Sequence, residues 1–460
     1  LKKLLTVRLL KYERFKMKVV ESNRPLTNPR WETDEHFDLD SHITHVGLPA
    51  PGDKKALQNL TSRLLSTPLD FSKPLWHVTL VDNYKEGSAL FFRFHHCMLD
   101  GIAGIHVLLD LTDTDPDSPI ERPSDRKHPP QTGNPLTNLF KPARQALSTG
   151  RKIAATLFQE GMEFATNPTE AIDKAQDRAQ LAAELASKGV SATGKLLLMP
   201  PDPPTPLKGE LGVQKRAAWS TPLPLQDIKD ISKAMEGKIN DVLLSAMAGA
   251  LRRYLLGKSF DITNLNLRAA VPVNLRPLDR AADLGNEFGL VILSLPIGIA
   301  DPIERMRELK RRMDEIKGSP EALVTFGILN LLAVTPNQLA DQFLSLMGSK
   351  ASMVATNVPG PRQTLYLGGS KMDNIMFWVP QSGRLGVGIS ILSYDGQVTL
   401  GVATDAGLVA DPEQILQGFY DEVEALMNFT VQTAAPAAPA QEPSDANQRC
   451  QALTKSGRQC

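Results

Sequence analysis

Cysteine is scarce in this chain: 460 residues contain three, Cys97, Cys450 and Cys460. That spacing supports no disulfide framework, so a reducing cytosol is the default compartment. An excess of either charge is missing too. Lys plus Arg and Asp plus Glu number 51 each, which leaves no global field to steer the chain onto nucleic acid. No apolar run approaches the roughly 20 residues that a membrane-spanning helix requires. The opening residues lack the charged, apolar and small-residue succession of a secretory signal. Also absent are GxSxG, GxxxxGKS/T and a GxGxxG after a strand. Their absence sets aside the serine-hydrolase elbow, the phosphate-binding loop and the dinucleotide fold.

What is present is length enough to bury a sizeable core in two or more domains. From Leu1 to Val20, Lys2, Lys3, Arg8, Lys11, Arg14, Lys16 and Lys18 interleave with leucines. This reads as a basic amphipathic helix, either an ordinary domain helix with solvated lysines or one that lies on an anionic membrane. Leu57 to Leu65 has helical periodicity, and Trp76, Val78 and Leu80 alternate as a strand that starts just after Pro74. Proline-rich composition over Thr112–Pro142 and again over Pro200–Pro206 marks two joints. Between them Arg144 to Lys188 reads as two helices broken near Asn167-Pro168. Farther on, Ile239–Leu251 is a core helix, Leu267–Val273 and Phe288–Ile297 are strands, and Glu321–Leu332 is a nearly uncharged helix, read as core. Asp395-Gly396 between two apolar runs marks a hairpin. After Met427 the chain becomes Ala-, Pro- and Gln-rich, a composition of disorder. The expected division is residues 1–115, a crossover linker over 116–207, a second domain over 208–432 and a tail over 433–460.

The chemistry concentrates in Phe94-His95-His96-Cys97-Met98-Leu99-Asp100-Gly101. The aromatic run before it reads as a strand and the residues after it as a helix, so two histidines stand at the junction. A neutral imidazole, pKa about 6.5 in an ordinary setting, takes a proton from an alcohol near neutral pH. His96 is assigned as that base; His95 points away and fixes the loop. Asp100-Gly101 supplies the turn, glycine tolerating φ > 0. Asp100 either orients the imidazole or pairs with an arginine to hold the loop rigid, with Arg268 and Arg276 both eligible. Two plainer readings compete. A His-His pair is often structural, and His95, His96 and Asp100 as metal ligands lack a second cluster to complete a site. By the same caution Asn240-Asp241, at the start of its helix, reads as a cap. Pro74-Leu75-Trp76 reads as packing, and Cys450 with Cys460 as half of a metal knuckle at most.

HHxxxDG resembles the active-site motif of the chloramphenicol-acetyltransferase-like acyltransferases, which include peptide condensation domains and plant alcohol acyltransferases. The run from Trp31 to His42, Leu48-Pro49-Ala50-Pro51-Gly52, Pro74-Leu75-Trp76, Asn240-Asp241 and Asn357-Val358-Pro359-Gly360-Pro361 narrow it. Together they are similar to the bacterial wax ester synthase/diacylglycerol acyltransferase family, over Leu1 to Leu426.

The resemblance implies an α/β fold with mixed sheets: two chloramphenicol-acetyltransferase-like domains, a helical crossover, and an interdomain tunnel with the His96 loop midway. It implies transfer of a fatty acyl group from acyl-CoA to a long-chain alcohol or diacylglycerol in a ternary complex, with no metal and no bound cofactor. His96 would be the proton acceptor, beside His95, Asp100 and Gly101. Asn240 would bond an oxygen of the substrate or the tetrahedral intermediate, and Asp241, Asn357 and Gly360 would contribute to substrate binding. Pro74, Leu75 and Trp76 would be structural. The family carries a further strand and helix before this start, so the native N-terminus is expected upstream. A cytoplasmic enzyme, peripheral on a membrane or on lipid inclusions, is the implied setting. The competing readings are a relative with an amine or polar alcohol acceptor, and a lipid-binding relative without turnover.

Overall fold

The first twenty residues break where one long surface helix was expected. In the computed structural model, which describes residues 1–21, 29–121, 199–275, 284–317, 325, 345 and 348–434, a helical turn Lys2–Leu4 runs into a π-helical segment Leu5–Leu9. A 3₁₀ turn follows at Glu13–Lys16, and β1 (Met17–Val20) pairs antiparallel with β2 (Arg30–Thr33). Arg8 accounts for the difference. It turns inward, 3% exposed, ion-paired to Asp113 at 2.7 Å and donating to the carbonyls of Leu111, Pro119 and Ile120. The basic residues therefore share no single outward face. Lys2, Lys3, Lys11, Lys16 and Lys18 lie 2.5–3.3 Å from Asp40, Glu121, Asp110, Glu13 and Asp34.

Strand β3 (Ile43–Gly47) lies parallel to β4 (Trp76–Tyr84), which pairs antiparallel with β5 (Gly87–Phe94). Between β3 and β4 runs α1 (Lys54–Ser66), capped by Asp53, whose Oδ1 accepts the Ala56 N–H at 2.8 Å. After β5 comes α2 (Gly101–Leu111). Period-two alternation splits the sheet. One face sends Trp76, Val78, Phe92 and Phe94 into a core with Leu4, Leu9, Phe15, Met98, Leu99 and Val107. The other sends Val81 and Phe91 toward Leu57 of α1.

The second domain is built on β6 (Lys215–Trp219), β7 (Leu223–Pro224), α3 (Leu225–Ala234), α4 (Ile239–Gly257), β8 (Leu267–Asn274), β9 (Phe288–Leu295), α5 (Pro302–Lys317), β10 (Met353–Pro359), the short pair β11 (Tyr366–Leu367) and β12 (Ser370–Lys371), β13 (Val387–Tyr394), β14 (Gln397–Asp405) and α6 (Pro412–Ala434). Among the described residues its sheet has the order β6-β14-β13-β10-β8-β9, with β7 beside β14. The β10–β13 and β10–β8 pairs are parallel and the others antiparallel, so the sheet is mixed. Helix α4 is apolar on every side from Val242 to Leu251 apart from Ser245 and Gly249, because sheet and helices enclose it. The β13–β14 hairpin turns at Asp395 and Gly396 with φ 45° and 74°, the two positive values that a tight turn of this hand needs.

The domains are joined at several places. Ser62 and Ser66 of α1 accept the N–H groups of Ala217 and Lys215 at 3.0 and 2.8 Å, so a helix of the first domain closes the open edge of the second sheet. Ile105 of α2 packs on Val358 and Leu392. One finding differs from expectation. Helix α6 continues to Ala434 rather than giving way after Met427, because Met427 and Phe429 still pack on the core. The proline cluster over 200–206 is anchored: Asp202 is 4% exposed and accepts from the Arg268 N–H and the Ser352 hydroxyl. The crossover helices over 144–188, all but Thr325 of the helix over 321–332, Arg276 and the chain beyond 434 lie outside the described residues.

Candidate active site

The β4–β5 ladder ends where the histidines begin. Trp76 faces Phe94 in register, and the next bond out is the His95 N–H to the Leu75 carbonyl, 2.9 Å. Trp76 is fixed by burial, by its indole N–H on the Phe15 carbonyl at 2.8 Å and by stacking on His42 at 4.4 Å. Pro74-Leu75-Trp76 thus anchors the strand end from which the motif departs. The chain then turns, the Met98 N–H reaching the His95 carbonyl at 3.0 Å. Nδ1 of His95 accepts the Cys97 N–H at 3.3 Å, which leaves the ring proton on Nε2. That ring meets Phe71 edge-on at 5.6 Å. Burial, and then the charge of His96, push its pKa down. His96 goes the other way. Both histidines are exposed, and the His96 ring meets Phe288 of β9 at 5.8 Å, while its carbonyl accepts from Nδ2 of Asn286 at 2.9 Å.

Asp100 holds the far end of the loop. It is 5% exposed. Oδ1 accepts the N–H groups of Ile102 and Ala103 at 3.1 and 2.9 Å, capping α2. Oδ2 accepts the Glu287 N–H at 3.1 Å, and the Asp100 N–H donates to the Gly285 carbonyl at 3.1 Å. None of these bonds goes to the imidazole. They tie the loop to the segment that enters β9. Arg268, one of the two eligible arginines, is engaged elsewhere: its guanidinium lies 3.8 Å from Asp202 and bonds the Pro200 carbonyl. Gly101 opens α2 and does not take the positive φ expected of it. A Cβ there would sit 3.5 Å from Val358 Cγ2, so the motif abuts the strand that carries Asn357.

The second-domain residues separate. Nδ2 of Asn357 donates to Oδ1 of Asn240 at 2.5 Å, joining the end of β10 to the start of α4. Both side chains are half-buried. Asp241 does not reach them. It is 1% exposed, accepts the Lys238 N–H at 2.8 Å and has its pKa pushed up by burial. Its Oδ2 thus caps the helix, while its Oδ1 is buried without a hydrogen-bond partner among the described residues. Gly360 is tightly enclosed. It is buried, and a Cβ there would lie 2.2 Å from the Ser393 carbonyl oxygen, so it is a packing glycine.

Sequence reasoning missed Gly285, Asn286, Glu287 and Phe288. The strand that begins at Phe288 was legible; the only sign of a loop ahead of it is Gly285-Asn286, and nothing local says what that loop holds. A cavity of about 380 Å³ opens on the α1 face of the first sheet, and His96 is not in its wall. Among the described residues no three His, Cys, Asp or Glu side chains gather as metal ligands, and no helix is long and apolar enough to cross a membrane.

Comparison with known proteins extends these observations. Residues 2–243 match the model of the wax ester synthase/diacylglycerol acyltransferase catalytic domain, and residues 284–427 that of the WS/DGAT C-terminal domain. A Mycobacterium tuberculosis protein that carries the name diacylglycerol O-acyltransferase is 30% identical over 451 residues, covering 92% of this chain and 84% of its own. An Acinetobacter baylyi O-acyltransferase is 26% identical over 412 residues, covering 87% and 84%. The solved wax ester synthase/diacylglycerol acyltransferase of Marinobacter aquaeolei superposes with a TM-score of 0.64 at 22% identity, covering 93% of this chain and 89% of that one. The likeness in structure is one of fold.

Proposed function

The chain belongs to the wax ester synthase/diacylglycerol acyltransferase family and is an O-acyltransferase, and we propose that His96 is the base with which it moves a fatty acyl group from acyl-CoA to a long-chain alcohol or to diacylglycerol. In the proposed step His96 takes the acceptor's hydroxyl proton as the oxygen attacks the thioester carbonyl. The tetrahedral oxyanion then collapses, the C–S bond breaks, and the CoA sulfur leaves with the proton that His96 held. Asn240 is the proposed oxyanion donor. Because Asn357 occupies its Oδ1, its own N–H groups remain to be offered, and one such donor is worth roughly 10²–10³ in rate.

The observation that carries this reading is an exposed imidazole on a rigid loop. The His96 ring is open while its own carbonyl is held by Asn286 and the loop's end by Asp100. Positioning of this kind is what a general base needs, contributing roughly 10²–10⁴-fold. The two substrates would meet at His96 through a tunnel between the domains. No resident cofactor enters the scheme, so EDTA leaves the rate unchanged. Acceptors this apolar place the enzyme on lipid surfaces or inclusions in the cytoplasm, which flotation with lipid vesicles tests.

The direct experiment is CoA release from palmitoyl-CoA with hexadecanol or a diacylglycerol as acceptor. His96→Ala lowers the rate by roughly 10²–10⁴-fold without lowering the melting temperature. A variant as active as the parent removes His96 from the reaction. Turnover confined to amine or polar acceptors removes the proposed acceptor class.

A further inference from the structure

The cavity on the α1 face of the first sheet takes no part in this chemistry. Its volume is about 380 Å³, and it lies between α1, the sheet and the loop from Thr67 to Pro74. Strand alternation explains its wall. Thr44 and Val46 of β3, His77 and Thr79 of β4, and Arg93 of β5 project from one face, with Thr44 opposite Thr79 and His77 opposite Arg93 in register. A sheet face under a helix is ordinarily apolar, and the neighbouring Val81 and Phe91 are. Here the row turns polar, and Leu60 and Leu64 of α1 line the opposite wall without filling the gap.

The polar end is cationic. Arg93 donates to the Thr67 carbonyl. Neither Arg93 nor Lys73 forms an ion pair among the described residues. Asp70 is the one carboxylate in the wall; it is exposed, and its Oδ1 is taken by the Ser72 N–H and hydroxyl at 2.9 and 2.7 Å. His77 is satisfied within the wall, its Nδ1 donating to the Val78 carbonyl at 3.1 Å and its Nε2 accepting the Thr44 hydroxyl at 3.0 Å. Burial, then Arg93, His42 and Lys73, push its pKa down, as a positive potential would.

We propose that this cavity is a second ligand site, taking a small amphipathic anion whose carboxylate or phosphate head sits between Arg93 and Lys73 and whose short apolar body lies along Leu60, Leu64 and Val46. A cavity near the small end of the usual ~300–1,000 Å³ range suits a body of about eight carbons. The site is separate from the histidine pair but one loop away: Phe71, between Asp70 and Lys73, carries the ring against which His95 rests.

The test titrates the full chain with octanoate and with octyl phosphate by calorimetry, beside octanol and inorganic phosphate. One saturable event is expected with at least one of the two amphipathic anions, and the tighter of them names the head group. Inorganic phosphate binds at least tenfold more weakly, and any octanol binding, which the proposed acceptor tunnel also allows, is unchanged in Lys73→Gln. Lys73→Gln and Arg93→Gln each weaken the anion at least tenfold, and His96→Ala leaves it bound. Should Arg93→Gln fold poorly for want of its Thr67 bond, Lys73→Gln decides. Anion binding unchanged in Lys73→Gln, no binding of either anion, or binding lost in His96→Ala and kept in Lys73→Gln overturns the proposal.

Discussion

Replacing Asp100 by asparagine separates two jobs that one carboxylate performs. Its Oδ1 caps α2 through Ile102 and Ala103, and its Oδ2 takes the Glu287 N–H from the other domain. Asparagine caps a helix about as well as aspartate, so the cap survives in Asp100→Asn. The second oxygen, however, becomes an NH₂ facing the Glu287 N–H across 3.1 Å. Turning the amide over only moves the clash of donors to the cap. The bond is part-buried, so its loss costs about 1 kcal/mol, the low end of the roughly 1–3 kcal/mol for a fully buried donor. Asp100→Ala loses the cap as well, a further ~1 kcal/mol. Denaturant midpoints are expected in the order parent, Asp100→Asn, Asp100→Ala. CoA release should fall in the same order, since the Glu287 bond helps fix the loop that carries His96. Parental stability in Asp100→Asn would refute the clamp. Lost activity in Asp100→Ala at unchanged stability would show the carboxylate acting on the reaction itself.

Other outcomes follow from the same geometry. Gly360→Ala drives a Cβ to 2.2 Å from the Ser393 carbonyl oxygen, and the shift it forces costs about 1–3 kcal/mol, read as a lower melting temperature. Arg8→Ala takes the guanidinium from the buried Asp113 and costs about 3–5 kcal/mol; Arg8→Lys recovers only part, lacking the fork that reaches the carbonyls of Leu111, Pro119 and Ile120. Burial pushes the pKa of His42 down, so its folded value lies below the unfolded one. The stability that depends on its neutral form is complete above the unfolded pKa of about 6.5 and is lost as pH falls toward the folded value. The melting temperature therefore drops from pH 7 to pH 5, and His42→Phe, though less stable at pH 7, shows a shallower slope.

Much of the site was legible because its signals are local. An aromatic strand, a His-His turn and an Asp-capped helix follow one another within twenty residues, and alternation and capping identify each without knowledge of the rest. Leu57–Leu65, Trp76–Leu80, Ile239–Leu251 and the Asp395-Gly396 hairpin were legible for the same reason. The opening segment was not. Arg8 looks like its neighbours along the chain, and only Asp113, 105 positions away, draws it inward. Asp241 and Gly360 sit inside motifs whose resemblance suggested ligand contact, and only the fold shows that one caps a helix and the other packs against the Ser393 carbonyl.

The sequence by itself determined the chemistry on offer: which histidine stands at a strand end, which aspartate begins a helix, and the family to which the motifs belong. Tertiary structure alone decided what holds that histidine in place. Asn286, Glu287 and Phe288 arrive from the second domain nearly two hundred positions later. It likewise decided that Thr44, His77 and Arg93 share one cavity. Periodicity reports the face on which a side chain lies, whereas the partner across that face depends on how distant segments pack, which no short stretch of residues encodes.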